Sequence, residues 1–159
     1  MKILLIVLGS IRPPLAQAVR EYEERAGRYW NLEVMELPAG APGRKSDPDR
    51  VRDVEAGRIR ERIPDDGDLW ILTREGKGLS SEGWARALGR RALHGGRPLT
   101  LIVGGAFGFH EALLSRADRR ISLGPVTLPH ELARLVLAEQ LYRAGTILRN
   151  EPYHKGGGR

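Results

Sequence analysis

The chain opens with an apolar run, "KILLIVLG", that fits a buried strand over 2–8. Apolar positions then recur at helical spacing, which predicts an amphipathic helix from about 14 to 28, and a strand over 32–37 ends at Pro38. The stretch "PAGAPGRKSDPDR" (38–50) mixes prolines, glycines and charges, so a mobile loop is expected, followed by a charged helix to about 62. The strand "DLWILT" (68–73), a helix over 81–94 and the strand "LTLIVGG" (99–105) continue the alternation. Strands that alternate with helices make an α/β fold with a mostly parallel, helix-covered sheet. The last third predicts a short helix over 110–117, a short strand over 120–123, a loop "LGPVTLP" (123–129) and a helix over 130–148. A chain of 159 residues fits one domain spanning 1–159.

The final helix is apolar almost all round, with Leu132, Leu135, Val136, Leu137, Leu141, Tyr142, Ala144 and Ile147 covering more than one stripe. One face cannot bury them all, so a second surface is expected, and another subunit would supply it.

Composition narrows the chemistry. With no cysteine there is no disulfide, thiolate ligand or cysteine nucleophile, and His94, His110, His130 and His154 lack the short pair spacing of a zinc site, so no metal is expected. The opening apolar run has no small-residue cleavage site after it and no run approaches the roughly 20 residues that span a bilayer, so a cytoplasmic protein without a membrane partner is expected. Lys and Arg exceed Asp and Glu by 26 to 20, a net charge of +6 carried almost wholly by arginine. Such an excess points to a polyanionic partner, with Arg44, Lys45, Arg90, Arg91, Arg119 and Arg120 as candidate phosphate contacts. A coding bias toward arginine would give the same excess.

Four stretches carry candidate chemistry. "VGGAFGF" (103–109) follows a strand and precedes a helix, where α/β proteins bind ligands, but it lacks the dinucleotide fingerprint. The alternative there is a tight turn that needs unusual backbone angles. "LTREGKGLSS" (72–81) is expected as a flexible loop on the same sheet edge, and neither it nor "GAPGRKS" (40–46) meets the pattern of a phosphate loop. "LGPVTLP" sets apolar side chains in a segment that its Gly and Pro residues keep irregular, which suits a dry wall with free backbone groups for an adenine. Glu139 and Arg143 have the spacing of an i,i+4 ion pair, and Arg143 is expected to join Tyr153, His154 and Lys155 in a polar cluster at the helix end. The alternative for that tail is a frayed terminus. His130 opens the last helix and satisfies a hydrogen bond there in the simplest reading.

Taken together, "LIVGGAFGF", "SLGPVTLPHELARLVLAEQLYRA" and "PYHK", in this order and spacing, resemble the ribosomal RNA large subunit methyltransferase H family, small enzymes of the SPOUT class. The resemblance covers essentially the whole chain. It implies a sheet with helices on both faces, a C-terminal trefoil knot, and a homodimer with its active site at the interface. It implies S-adenosylmethionine as methyl donor, contacted by Leu72, Gly104 and the segment Leu123, Gly124, Pro125, Val126, Thr127 and Leu128, with Gly105 and Gly108 shaping the turn. Arg143, Tyr153 and His154 would act on the nucleotide and Lys155 and His130 would bind it. The implied target is N3 of a pseudouridine in helix 69 of 23S rRNA on the assembled ribosome. Two departures stand out: Ala106-Phe107 where the family has Pro and an acid, and Thr73 where it commonly has Asp. The alternatives are a knotted RNA- or ribosome-binding protein without catalysis, and an enzyme acting on another RNA such as tRNA.

Overall fold

The computed structural model describes residues 1–43 and 47–155. The expectations for Arg44, Lys45 and the closing "GGGR" lie outside the described residues. Ten elements follow one another: β1 (Lys2–Leu8), α1 (Leu15–Gly27), β2 (Asn31–Leu37), α2 (Pro48–Arg60), β3 (Asp68–Gly78), α3 (Ser81–Leu93), β4 (Leu99–Val103), α4 (Glu111–Arg116), β5 (Arg119–Ser122) and α5 (His130–Leu148). The strands form one sheet in the order β2-β1-β4-β3-β5, and every pairing is parallel.

Because side chains alternate along a strand, the near-continuous apolar runs of β1, β3 and β4 fill two cores. Ile3, Leu5, Val7, Trp70, Leu101 and Val103 pack against α1, α3 and α5, with Trp84, Leu88, Leu137 and Leu141 facing them. Leu4, Ile6, Leu8, Ile71 and Ile102 meet Ile59 of α2 and Leu113 of α4 on the other side. Helices therefore cover both faces.

Two expectations change. The polar stretch after Leu72 continues β3 to Gly78 instead of leaving the sheet as a loop. Both Leu72 and Lys77 pair with Ile121, so residues 73–76 bulge out between two points of contact. Gly76 allows this: a Cβ there would lie 2.5 Å from the Ile121 carbonyl carbon. The described start of the 38–50 loop is pinned, because Glu55 accepts the Gly40 N–H at 2.8 Å and Arg58 donates to the Pro38 carbonyl at 2.9 Å. A burial signal from alternating residues cannot reveal either feature.

The last helix is gripped between α1 and α3, which accounts for much of its apolar surface. Val136 and Leu148 stay exposed. Arg134, 5% exposed, ties three elements together: it donates to Glu23 at 2.6 Å and to Glu36 at 2.7 Å.

Candidate active site

Parallel strands present their carboxyl ends on a common edge, and here β4 ends at Val103 and β5 at Ser122, beside the point where β3 bulges after Leu72. Their following loops enclose a cavity of about 960 Å³. Leu72, Gly104, Gly105, Gly108, Leu123, Gly124, Val126, Thr127, Leu128 and His130 all line it, whereas Pro125 lies outside its wall.

Each loop has a local reason for its path. Gly108 and Gly124 have φ of 72° and 125°, angles that favour glycine. At Gly104 a Cβ would strike the Phe109 ring at 2.4 Å, so the bare backbone lets that ring lie across the turn. Ser122 secures the exit from β5, donating its hydroxyl to the Gly124 carbonyl at 2.8 Å and accepting the Gly124 N–H at 3.1 Å. Among the described residues, the N–H groups of Val126, Thr127 and Leu128 have no hydrogen-bond partner in the chain. These are donors left for a ligand.

Three polar residues that the sequence reading did not single out belong here. Glu75, on the β3 bulge, lines the cavity, and the Thr73 hydroxyl donates to it at 2.7 Å. That bond, its own backbone N–H and Arg74 hold its carboxyl below the usual carboxylate range. It places an anion in a cavity whose sequence lacks acids at 73 and 107. Arg52 of α2 reaches the same wall and donates to the Phe107 carbonyl at 3.2 Å. Glu55, 3% exposed, stands behind Gly105, where a Cβ would come within 3.0 Å of its Oε1. Among the described residues its Oε2 has no hydrogen-bond partner. Nothing in their spacing marks these residues, because α2 is distant in sequence from the loops it buttresses.

His130 caps the picture from α5, with Nε2 3.4 Å from the Ser10 carbonyl oxygen. Its partner is thus a loop after β1, far from its own helix in sequence.

The tail forms a second cluster at the other end of α5. Asn150, at φ 55°, ends the helix, and residues from Glu151 fold back along it, with the Tyr29 hydroxyl donating to Glu151. That carboxylate holds the Tyr29 phenol up to about 12. Arg143 donates to Glu139 Oε1 from Nε at 2.9 Å and Nη2 at 2.6 Å, and Tyr153 donates to the same oxygen at 3.0 Å. His154 Nδ1 lies 3.5 Å from Arg143 Nη1 and Nε2 lies 3.0 Å from Glu82. The Arg143 guanidinium sits over the Tyr153 ring, 4.7 Å from its centre. Burial first, then Tyr22 and Glu139, raise the Tyr153 phenol well above its ordinary value. Lys155 is exposed beside them. As described to Lys155, the tail is docked and not frayed.

Of the candidate phosphate contacts, Arg90, Arg119 and Arg120 come together at a second cavity. Arg91 does not: it pairs with Asp68 and lies over Trp70, 5.8 Å from its ring centre. Among the described residues no group of His, Asp and Glu is arranged to hold a metal ion, and no helix is long and apolar enough to cross a membrane.

A family model described as "Predicted SPOUT methyltransferase" matches residues 1–154. The chain belongs to this family. Relatives named ribosomal RNA large subunit methyltransferase H run its whole length: the one from Gemmatimonas aurantiaca is 46% identical over 156 residues, 98% of this chain and 100% of that protein. One from Listeria monocytogenes serotype 4a is 43% identical over 159 residues, with the same coverage, and one from Enterococcus faecalis is 38% identical over 159 residues. The crystal structure of a probable methyltransferase from Bordetella pertussis shares the fold at 13% identity, with a TM-score of 0.56 over 90% of this chain and 95% of that one.

Proposed function

We propose that the protein is a homodimeric, S-adenosylmethionine-dependent methyltransferase of the cytoplasm, one domain over 1–159, that methylates N3 of a pseudouridine in helix 69 of 23S rRNA on the assembled ribosome. The observation that carries this reading is the convergence of Leu72, Gly104 and the Leu123–Leu128 loop on one cavity, in a chain whose relatives along its full length bear the name of an rRNA methyltransferase. We read the segment from β3 to α5 as the knotted part of the fold. The close seating of Gly76 on the β5 backbone supports that.

The cavity fits the donor chemically. Leu72, Val103, Leu123, Val126 and Leu128 make an apolar wall for an adenine, and the free N–H groups of the same loop meet its polar edge. Glu75 would supply an anion for a sulfonium cation in place of the missing acids at 73 and 107, which supports the catalytic reading. When bound, S-adenosylmethionine supplies an electrophilic methyl group on sulfur.

The chain's own residues then position the base and move one proton. As the N3–C bond forms, the S–C bond breaks and the N3 proton must leave. We assign that proton to His154, whose Nε2 lies 3.0 Å from Glu82 and whose Nδ1 lies 3.5 Å from Arg143 Nη1, so that a ring nitrogen is available as acceptor once Arg143 turns to the base. Arg143, anchored by Glu139, stabilises negative charge on the neighbouring carbonyl oxygens of the base. Tyr153 offers a ring face for stacking, and Lys155 and His130 offer contacts to the nucleotide.

The test is transfer of radiolabelled methyl from S-adenosylmethionine to ribosomes from a strain that lacks the enzyme, with the product mapped by mass spectrometry. N3-methylation of the helix 69 pseudouridine is expected. Label in tRNA instead, or none at all, overturns the assignment.

A further inference from the structure

The second cavity, of about 390 Å³, shares the β3–β5 edge with the first: Ile121 and Lys77 line it, while Ser122 and Glu75 line the large one. Its rim holds Lys77, Arg86, Arg90, Arg119 and Arg120, and no carboxylate. Its floor is Leu79, Ala87 and Ile121.

Such an arrangement favours an anion. Arg86 and Arg90 stand one turn apart on α3, the spacing at which like charges repel, and an apolar floor concentrates the field instead of damping it. Arg120 is occupied, with Glu111 3.8 Å away and the Leu114 carbonyl accepting from its Nε. Arg119 lies over Trp70, 4.9 Å from the ring centre, which fixes its position but leaves its charge unneutralised. Among the described residues Lys77, Arg86 and Arg90 have no ion-pair partner. Arg134, Arg143 and Arg91, by contrast, are each held by a carboxylate. The free cations form a row along α3 with Lys77 beside it. A row fits the repeating charges of a polyanion backbone, and guanidinium groups suit phosphate oxygens.

We propose that this cavity docks the phosphodiester backbone of the RNA substrate, separately from the methyl-transfer site. The inference rests on the protein's acting on RNA, as proposed above, but docking and turnover are read apart.

The experiment compares the intact protein with the triple variant K77Q/R86Q/R90Q, with R86Q alone as a milder variant and thermal unfolding to check that each is folded. Affinity for 70S ribosomes and for protein-free 23S rRNA is measured as salt is raised. Loss of three phosphate contacts is expected to lower the slope of log affinity against log salt by roughly 2 and weaken binding at least ~10-fold, with R86Q between. The Kd for S-adenosylmethionine and kcat at saturating ribosomes stay unchanged while KM for ribosomes rises. An unchanged affinity and slope for both RNAs overturns the inference, even if methyl transfer proceeds. Weakened binding to ribosomes alone, with 23S rRNA unaffected, overturns it in favour of an acidic ribosomal protein. If the intact protein binds with the expected slope but transfers no methyl, docking stands and the proposed reaction falls.

Discussion

His130 and Arg143 lie on the same helix, yet the first lines the large cavity at the sheet edge and the second anchors the tail cluster. At ~1.5 Å per residue the helix holds them about 20 Å apart along its axis. In-line displacement needs reacting atoms to start about 3–3.5 Å apart. On the proposed reading, one chain therefore cannot bring its own tail to its own donor cavity, and a second copy has to supply it. Val136 and Leu148 on α5 are exposed and would offer apolar surface to such a copy.

This makes mixed dimers informative. Gly104→Ala puts a methyl into the Phe109 ring and should close the donor cavity, while Arg143→Ala should disable the tail. Each homodimer is expected to be inactive. Co-expressed, with each chain tagged for purification, the heterodimer is expected to regain methyl transfer, since one of its two sites is then built from an intact cavity and an intact tail. A heterodimer as inactive as its parents would mean that each chain completes its own site.

The β3 bulge yields a stability prediction. Gly76→Ala would push a Cβ to 2.5 Å from the Ile121 backbone, and Gly145→Ala to 2.2 Å from the Tyr29 ring. Both should overpack, costing about 1–3 kcal/mol, with Gly76 at the upper end because backbone yields less than a ring. Gly57, in the middle of α2, has nothing within 4 Å, so Gly57→Ala should stabilise by about 0.5–1 kcal/mol. Urea midpoints of the three variants decide it.

Where a residue's burial follows from its own element, the sequence reading and the structure agree closely. Continuous apolar runs mark β1 and β4, and the boundaries of α3 and α5 fall within a residue of expectation because Ser80 and Pro129 cap them. Gly104 and Leu123–Leu128 were legible as loops on one edge, since parallel strands leave no other place for them, whereas Leu72 lies within β3 and not in the loop expected there. Glu75, Glu55 and Glu82 were not legible. Glu55 and Glu82 meet partners far off in sequence, Glu75 is placed by the bulge of β3, and a glutamate on its own leaves no periodic trace. The extension of β3 was hidden for a related reason: only Lys77 and Gly78 resume the pairing, after a bulge whose polar side chains resemble a turn.

Arg134 is a structural counterpart to Arg143. It is buried where α1, β2 and α5 meet. Burial opposes its charge, but Glu23 and Glu36 outweigh that and hold the guanidinium above its ordinary value. Removing it strands the Glu23 carboxylate, whose side chain is only 12% exposed. Arg134→Ala is expected to cost about 3 kcal/mol, the low end for a broken buried pair because Glu36 can turn to solvent. The double variant Arg134→Met with Glu23→Leu should recover most of that in a denaturant titration.

Tyr153 and His154 are neighbours in the tail, and pH separates their proposed roles. The Tyr153 phenol is raised by burial, by Tyr22 and by the Glu139 carboxylate that accepts its proton. A raised pKa means that the folded state binds this proton more tightly than the unfolded chain, whose tyrosines titrate near 10. The stabilisation is therefore complete below about 10 and is lost only as pH climbs through the higher folded value. Between pH 6 and 9 the phenol keeps its proton and cannot accept another from the base. Tyr153→Phe should lower turnover by loss of position while leaving the shape of the pH–rate profile unchanged, and above pH 10 it should flatten the fall in stability seen for the intact protein. His154→Gln, by contrast, removes the proposed proton acceptor and is expected to lower kcat by about 10²–10⁴-fold. A Tyr153→Phe profile that loses a limb, beside a His154→Gln enzyme of normal kcat, would exchange the two assignments.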